Sequence, residues 1–357
     1  MIKAYQHYFI FIVLLNALAL KAQIVAGHVY DDTNVPLEGA VVYFDGTSNS
    51  VSTDAKGSFT IKGDRTQPAP LIISFVGFVS VKIANPYTGN KLRIILEPDA
   101  IEMEAVVVTG KTLFSRKEML RAFKNQFLGS SKAGASCTIE NEDDIRLRFD
   151  TSNNTLYAEA LKPLRIKNER LKYIVTFDLV ASEVRYKAKT LDPNRIAGAF
   201  FGGTTFFTDI SGSSSAVKQR KEAYRGSPAH FIKTVINEDW AAQKFRLFSG
   251  SWGVDPKRHF VVKDTLGIKK VTCLEPEQEL TLSAVANTNR QKPGNIKKQR
   301  FEVLYNNKEE SFFIYNDGIF YANENGLYWP LQELTFGGYM GGLRVGDMLP
   351  SDYNPQD

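Results

Sequence analysis

Between residues 24 and 96, short runs of β-branched and aromatic residues alternate with turn clusters, a pattern that permits little besides a stack of short strands. Residues 24–30 read as a strand, 31–36 as a turn and 39–44 as a second strand. Further β-prone runs lie at 51–53, 58–61, 71–75, 78–83 and 92–96. Between two of them, Asp54-Ala55-Lys56-Gly57 is a strong turn. Gly57 suits a positive φ, and Asp54 can accept hydrogen bonds from its own turn. The spacing predicts a small β-sandwich of seven or eight strands over residues 23–98.

The residues before it read as an address. Lys3 is basic, residues 8–20 are apolar except for Asn16, and Lys21-Ala22-Gln23 places a small residue at the exit. This is the pattern of a signal peptide over residues 1–22, cleaved close to Ala22. The apolar stretch is short for a membrane span of about 20 residues, and an uncleaved anchor is the other reading. No cysteine stands near the exit to be acylated, and no later stretch is long enough to span as a helix. Export would permit a disulfide. Cys137 and Cys273 are the only thiols. A bridge between them and two unpaired thiols both stay open, because sequence does not show whether their Cα atoms approach.

Beyond Pro98 the pattern changes. Residues 99–113 read as a linker that contains an isolated β-prone run, Glu104-Ala105-Val106-Val107-Val108. That run is either an eighth strand of the sandwich or an exposed strand that a partner pairs with. A helix is then expected, with Ser115 as N-cap, Glu118 completing a capping box, Phe114 and Met119 at the staple positions and Gly129 at the C-terminus. Residues 145–149 alternate, 150–154 turn and 155–161 return, which predicts a hairpin. Strands are expected at 173–179 and 183–189, then helix at about 214–240 with Ser227-Pro228 opening one segment. Strands resume at 260–262, 279–284, 299–305, 311–315 and 319–321. The chain therefore reads as mainly β, with the sandwich followed by a larger α+β domain, rich in antiparallel strands, over residues 114–357.

Little in the chain reads as catalytic. Removing Lys3 and Lys21 with the leader lowers the net charge from +5 to +3, too even a balance to imply a nucleic-acid partner. None of the four histidines begins a paired-ligand motif, so no metal and no cofactor are expected. Gly250-Ser251-Trp252-Gly253 has the wrong spacing for a nucleophile elbow. Gly202-Gly203-Thr204-Thr205 and Gly337-Gly338-Tyr339-Met340-Gly341-Gly342 lack the lysine of a phosphate loop and read as turns. Residues 218–225 read as a basic helix with a solvated face. Phe200, Phe201, Phe206, Phe207, Tyr328 and Trp329 could stack on sugars only if several were exposed in a row.

The order Gly27-His28-Val29, Pro36-Leu37-Glu38-Gly39-Ala40, Thr53-Asp54-Ala55-Lys56-Gly57-Ser58-Phe59 and Ile73-Ser74-Phe75-Val76-Gly77-Phe78 resembles the carboxypeptidase-like regulatory domain. That family is a prealbumin-like, immunoglobulin-like β-sandwich common in envelope proteins of some Gram-negative bacteria. The resemblance implies no catalytic group. Residues 104–110 are similar to the TonB-box-like segment that follows this domain in TonB-dependent uptake receptors, but the barrel of those receptors is not expected here. The remainder resembles the C-terminal region of exported proteins named only for the same domain. The residues that carry this are Phe127-Leu128-Gly129 near Cys137, Ala223-Tyr224-Arg225-Gly226-Ser227 with His230-Phe231, and Gly346-Asp347-Met348-Leu349-Pro350. The resemblance implies an exported, non-catalytic protein of the periplasm or outer-membrane surface. Its partner would be an envelope protein or polysaccharide, met through residues 104–108. Glycan binding by the second domain's aromatics is the alternative, and an unrecognised hydrolase is the third reading.

Overall fold

Seven strands form the sandwich: β1 (Gln23–Tyr30), β2 (Val41–Phe44), β3 (Ser50–Ser52), β4 (Ser58–Gly63), β5 (Leu71–Ser74), β6 (Val81–Ile83) and β7 (Leu92–Ile95). They pair as two sheets, in the orders β4-β1-β7 and β3-β2-β5-β6. The structure is a computed structural model that describes residues 23–63, 69–99, 113–212, 216–265, 268–274 and 299–355. The expected signal peptide, the run at 104–108 and the strand expected at 279–284 lie outside these residues.

Period-two alternation buries Val25, Val29, Val42, Phe44, Phe59, Ile61, Leu71, Ile73 and Ile94 between the two sheets. The motif residues have structural reasons. Gly27 lies where β1 pairs in parallel with β7, and a Cβ there would sit 2.5 Å from the Leu92 carbonyl oxygen. Gly57 has φ +68°, and the Asp54 carboxylate accepts the amides of Lys56 at 2.9 Å and Ser58 at 2.8 Å.

A third sheet follows helix α1 (Arg116–Leu128). Its strands are β8 (Cys137–Ile139), β9 (Ile145–Asp150), β10 (Thr155–Ala160), β11 (Leu164–Asn168), β12 (Tyr173–Tyr186) and β13 (Ile196–Asp209). The order is β8-β11-β12-β10-β9, with β13 along the other side of β12. The Ser115 capping box is present on both sides, as its spacing predicts. From α1, Phe127 packs at ring distances of 5.1 Å from Phe177 and 5.2 Å from Phe201.

Two expectations are corrected in this sheet. The runs at 173–179 and 183–189 are one strand, β12, whose register against β13 shifts between Leu179 and Ala181. Gly202-Gly203-Thr204-Thr205 is no turn but the middle of β13. A Cβ on Gly203 would lie 2.0 Å from the Asp178 carbonyl oxygen, so only glycine fits this close strand approach.

The chain divides into two compact units, Met1–Gln219 with Val345–Tyr353, and Arg220–Arg344 with Asn354–Asp357. The single larger domain expected at 114–357 is thus split. Its early residues and a returning C-terminal segment belong to the same unit as the sandwich. Asn168 anchors that return by donating from Nδ2 to the Gly346 carbonyl at 2.8 Å. The Ser131 hydroxyl donates to Asp347 at 2.6 Å, and Ser351 N–H to the Gly46 carbonyl at 2.7 Å. Gly346 lies so close to Gly134 that a Cβ would fall 2.4 Å from the Gly134 Cα. The motif residues around 128 and 346 therefore meet.

The division falls within helix α2 (Ala216–Tyr224). Lys218, Glu222 and Arg225 are exposed, as a solvated face requires, while Arg220 on this helix is buried. The second unit holds α3 (Pro228–Asn237) and strands β14 (Phe245–Ser249), β15 (Trp252–Val254), β16 (Phe260–Thr265), β17 (Ile268–Cys273) and β18 (Gln299–Tyr305). It continues with β19 (Glu309–Tyr315), β20 (Ile319–Ala322), β21 (Tyr328–Trp329), β22 (Leu334–Gly337) and the short helix α4 (Gly338–Gly342). Two antiparallel sheets, β15-β14-β18-β19-β22 and β16-β17-β20-β21, enclose Phe231, Trp240, Phe245, Phe260, Phe301 and Phe313. The glycine run at 337–342, expected as a turn, ends β22 and forms α4.

Candidate partner-binding edge

Among the described residues, strand β9 pairs with β10 on one side and ends its sheet on the other. Its sequence, Ile145-Arg146-Leu147-Arg148-Phe149-Asp150, puts apolar residues on one face and charged residues on the other. Leu161 N–H donates to the Asp144 carbonyl at 3.0 Å, which fixes the hydrogen-bonding parity of the pair. With Arg146 opposite Glu159 and Arg148 opposite Tyr157, even-numbered residues of β9 bond to β10 and odd-numbered residues turn their backbone outward. Arg116 Nη1 takes the first outward carbonyl, that of Ile145, at 2.7 Å. The amides and carbonyls of Leu147 and Phe149 have no partner among the described residues.

A groove of about 780 Å³ runs along this edge. It is lined by Leu113, Phe114 and Arg116, by residues 145–149 of β9, and by Tyr157 and Glu159 of β10. The capping box fixes the start of α1, and so places Phe114, whose ring meets Phe149 edge-on at 4.9 Å. The Arg148 guanidinium lies over the Tyr157 ring at 4.6 Å and 3.7 Å from the Asp150 carboxylate. Hydrogen bonds from the Ser152 hydroxyl and amide hold the Asp150 carboxyl below the usual carboxylate range, so it stays ionised. An outer backbone row without partners, with side chains on either face to meet an incoming strand, is what strand addition requires.

The residues singled out in the sequence fare differently. Glu104, Ala105, Val106, Val107 and Val108 lie outside the described residues. Cys137 and Cys273 are free thiols rather than a bridge. They belong to different units, and burial pushes both up to about 12, which keeps them protonated and poor nucleophiles. The aromatics considered for sugar stacking form no exposed row. Phe201 packs on Phe127, Phe206 on Tyr43 at 4.7 Å, Phe207 on Tyr173 at 5.7 Å, and Trp329 on Tyr321 at 6.2 Å. Tyr328 meets Phe320 and Phe336, which leaves Phe200 alone exposed. Among the described residues no three His, Cys, Asp or Glu side chains converge to hold a metal ion. None of their helices is long and apolar enough to cross a membrane.

The edge of β9 escaped sequence reasoning. Its alternation was visible, but which strand ends a sheet is set by partners far along the chain.

Comparison with known proteins agrees with the sandwich. Residues 25–108 match the family model of the CarboxypepD_reg-like domain, so this chain carries that domain at its N-terminal end. The match runs through residue 108 and so takes in the valine run. No curated protein matches the chain. Among solved structures, an N-terminal interface mutant of a type II cohesin–X-dockerin complex from Acetivibrio cellulolyticus aligns over 31% of this chain and 78% of that one. Its identity is 24% and its TM-score 0.20. A C-terminal interface mutant of the same complex gives 21% identity, 31% and 79% coverage and a TM-score of 0.19. A 9R-lipoxygenase from Cyanothece PCC8801 gives 11% identity, 63% and 48% coverage and a TM-score of 0.16. TM-scores this low carry no argument about function.

Proposed function

We propose that the protein is a non-catalytic binding protein of the bacterial envelope that takes up an extended segment of a partner polypeptide along β9. The observation that carries this reading is the outward row of Leu147 and Phe149 amides and carbonyls beside a groove lined by apolar and charged side chains. Main-chain bonds to such an edge supply affinity, and the groove supplies selection by side chain. The apolar leader and the CarboxypepD_reg-like domain support an exported setting. N-terminal sequencing of the exported protein is expected to begin close to Gln23; a product that keeps Met1 would remove that support.

The binding reading is tested with peptides selected by display on the full chain. Leu147→Pro removes an outward amide and leaves the bonds between β9 and β10 in place. Selected peptides are expected to lose binding to this variant and to slow hydrogen exchange at the Leu147 and Phe149 amides. Peptides that bind the variant equally well and protect neither amide would overturn the reading.

A further inference from the structure

We infer that the strand added at β9 alternates acidic and apolar residues, its acidic side chains facing Arg146 and Arg148. This rests on β9 being the site of strand addition. The charge pattern of the edge carries it. Arg146 has no ion-pair partner among the described residues, although Glu159 stands opposite it in the register. The Arg148 side chain is 62% exposed, and its contact with Asp150, at 3.7 Å, is long for an ion pair. Two guanidinium groups therefore project from one face of the edge strand, with their charge only partly met. Side chains directly opposite across a strand pair lie close enough for opposite charges to attract and like charges to repel.

The other face selects differently. Leu147 and Phe149 point to the side lined by Leu113 and Phe114, where apolar side chains of an incoming strand would be covered. Alternation in the ligand follows from the pleat, since successive side chains of a strand reach opposite faces.

A second copy of this chain fits less well. Antiparallel pairing of two β9 strands about Leu147 sets Arg146 against Arg148 of the other copy, and pairing about Arg148 sets the two Arg148 side chains together. The chain's own Ile101-Glu102-Met103-Glu104 carries the required alternation and is the competitor the experiment must separate.

The experiment measures binding of two synthetic peptides to the full chain by fluorescence anisotropy, one alternating Glu with Val and one alternating Lys with Val. A third, the Glu peptide methylated on alternate backbone nitrogens, controls for main-chain pairing without altering the protein. The Glu peptide is expected to bind at least about tenfold more tightly than the Lys peptide, with the advantage shrinking as salt rises. Arg146→Glu with Arg148→Glu is expected to reverse the order, and N-methylation to abolish binding. Equal binding of the Glu and Lys peptides, lost on N-methylation, would overturn the acidic preference and leave strand addition standing. Binding unaffected by N-methylation and by Leu147→Pro, or no binding of any peptide, would overturn both. Hydrogen exchange of the free protein closes the remaining routes. Protection of the Leu147 amide that is lost in Glu102→Lys with Glu104→Lys assigns the edge to the chain itself. Protection that rises with protein concentration assigns it to a second copy. Either result overturns the proposal.

Discussion

Nδ1 of His230 accepts the backbone N–H of Gly226 at 3.0 Å, a bond that closes the turn between α2 and α3. The proton therefore sits on Nε2, which donates to Gln243 Oε1 at 2.9 Å, and Gln243 in turn donates to Asp239 at 2.8 Å. Gly226 has φ +76°, and a Cβ on it would reach 2.8 Å from the Tyr305 ring. The residues at 223–227 and 230–231, quoted above for a family resemblance, are thus one structural knot.

That knot makes the second unit sensitive to acid. Burial holds the His230 imidazole below its ordinary pKa of 6.5. Between the folded value and 6.5 the unfolded chain binds more protons, so stability is full above 6.5 and falls as pH drops below it. The slope for one proton is at most about 1.4 kcal/mol per pH unit. Denaturant melts at about pH 7.5 and about pH 5.5 should show this loss, and His230→Asn should remove the dependence on pH from that window. An unchanged slope in the variant would assign it to other groups.

Ser115→Ala should cost about 1 kcal/mol in urea denaturation, because the Glu118 amide loses its side-chain acceptor. Ser115→Asp should recover most of it, since aspartate caps equally well. Hydrogen exchange should quicken first in the opening turn of α1, and so beside the groove at Phe114.

Glu333 is buried, and its Oε1 accepts three consecutive amides, Asn316 at 3.1 Å, Asp317 at 2.8 Å and Gly318 at 2.6 Å. It holds the turn between β19 and β20. Glu333→Ala takes the carboxylate acceptor from the Asp317 and Gly318 amides, while the Asn316 amide keeps the Glu333 carbonyl at 3.2 Å, and should cost about 3 kcal/mol. Glu333→Gln keeps one acceptor oxygen and should lose about half as much. Equal losses in the two variants would mean that volume, not hydrogen bonding, sets the cost.

Gly346→Ala should destabilise the first unit by at least about 2 kcal/mol, because the neighbours of the new Cβ are the backbone atoms of Gly134 and the Leu128 carbonyl. Asn168→Ala should also destabilise it, removing both the Nδ2 bond to the Gly346 carbonyl and the Oδ1 bond from the Leu171 amide, each 2.8 Å. The double variant should fall short of the sum, because both act on the same docked segment.

Legibility in the sequence followed the range of the forces involved. The Ser115 capping box, the hairpin at 145–160 and the turn at Asp54 are local, and the residues that make them are neighbours in the chain. The interior of β13 was hidden because paired glycines signal a turn when read alone. Gly203 is there for the opposite reason, the closeness of the Asp178 backbone on the next strand. The helix α4 was missed for the same cause: Gly338 lies against the Glu310 carbonyl on β19. The candidate site was half visible. The alternation of Ile145, Leu147 and Phe149 with two arginines could be read, but the position of β9 at the end of the described strand order is a property of the whole sheet.

The return of residues 345–353 to the first unit gives the chain an order of assembly. Between Gln219 and Val345 lie 125 residues that belong elsewhere. A polypeptide delivered from its N-terminus, by a ribosome or through an export channel, presents Asn168 and Gly134 long before Gly346 arrives to meet them. The sandwich and its adjoining sheet then wait, with one seam unclosed, until residues 345–353 have followed. A chain that stops short of Gly346 forfeits that closure, so the first unit is complete only after residues 220–344 have been made.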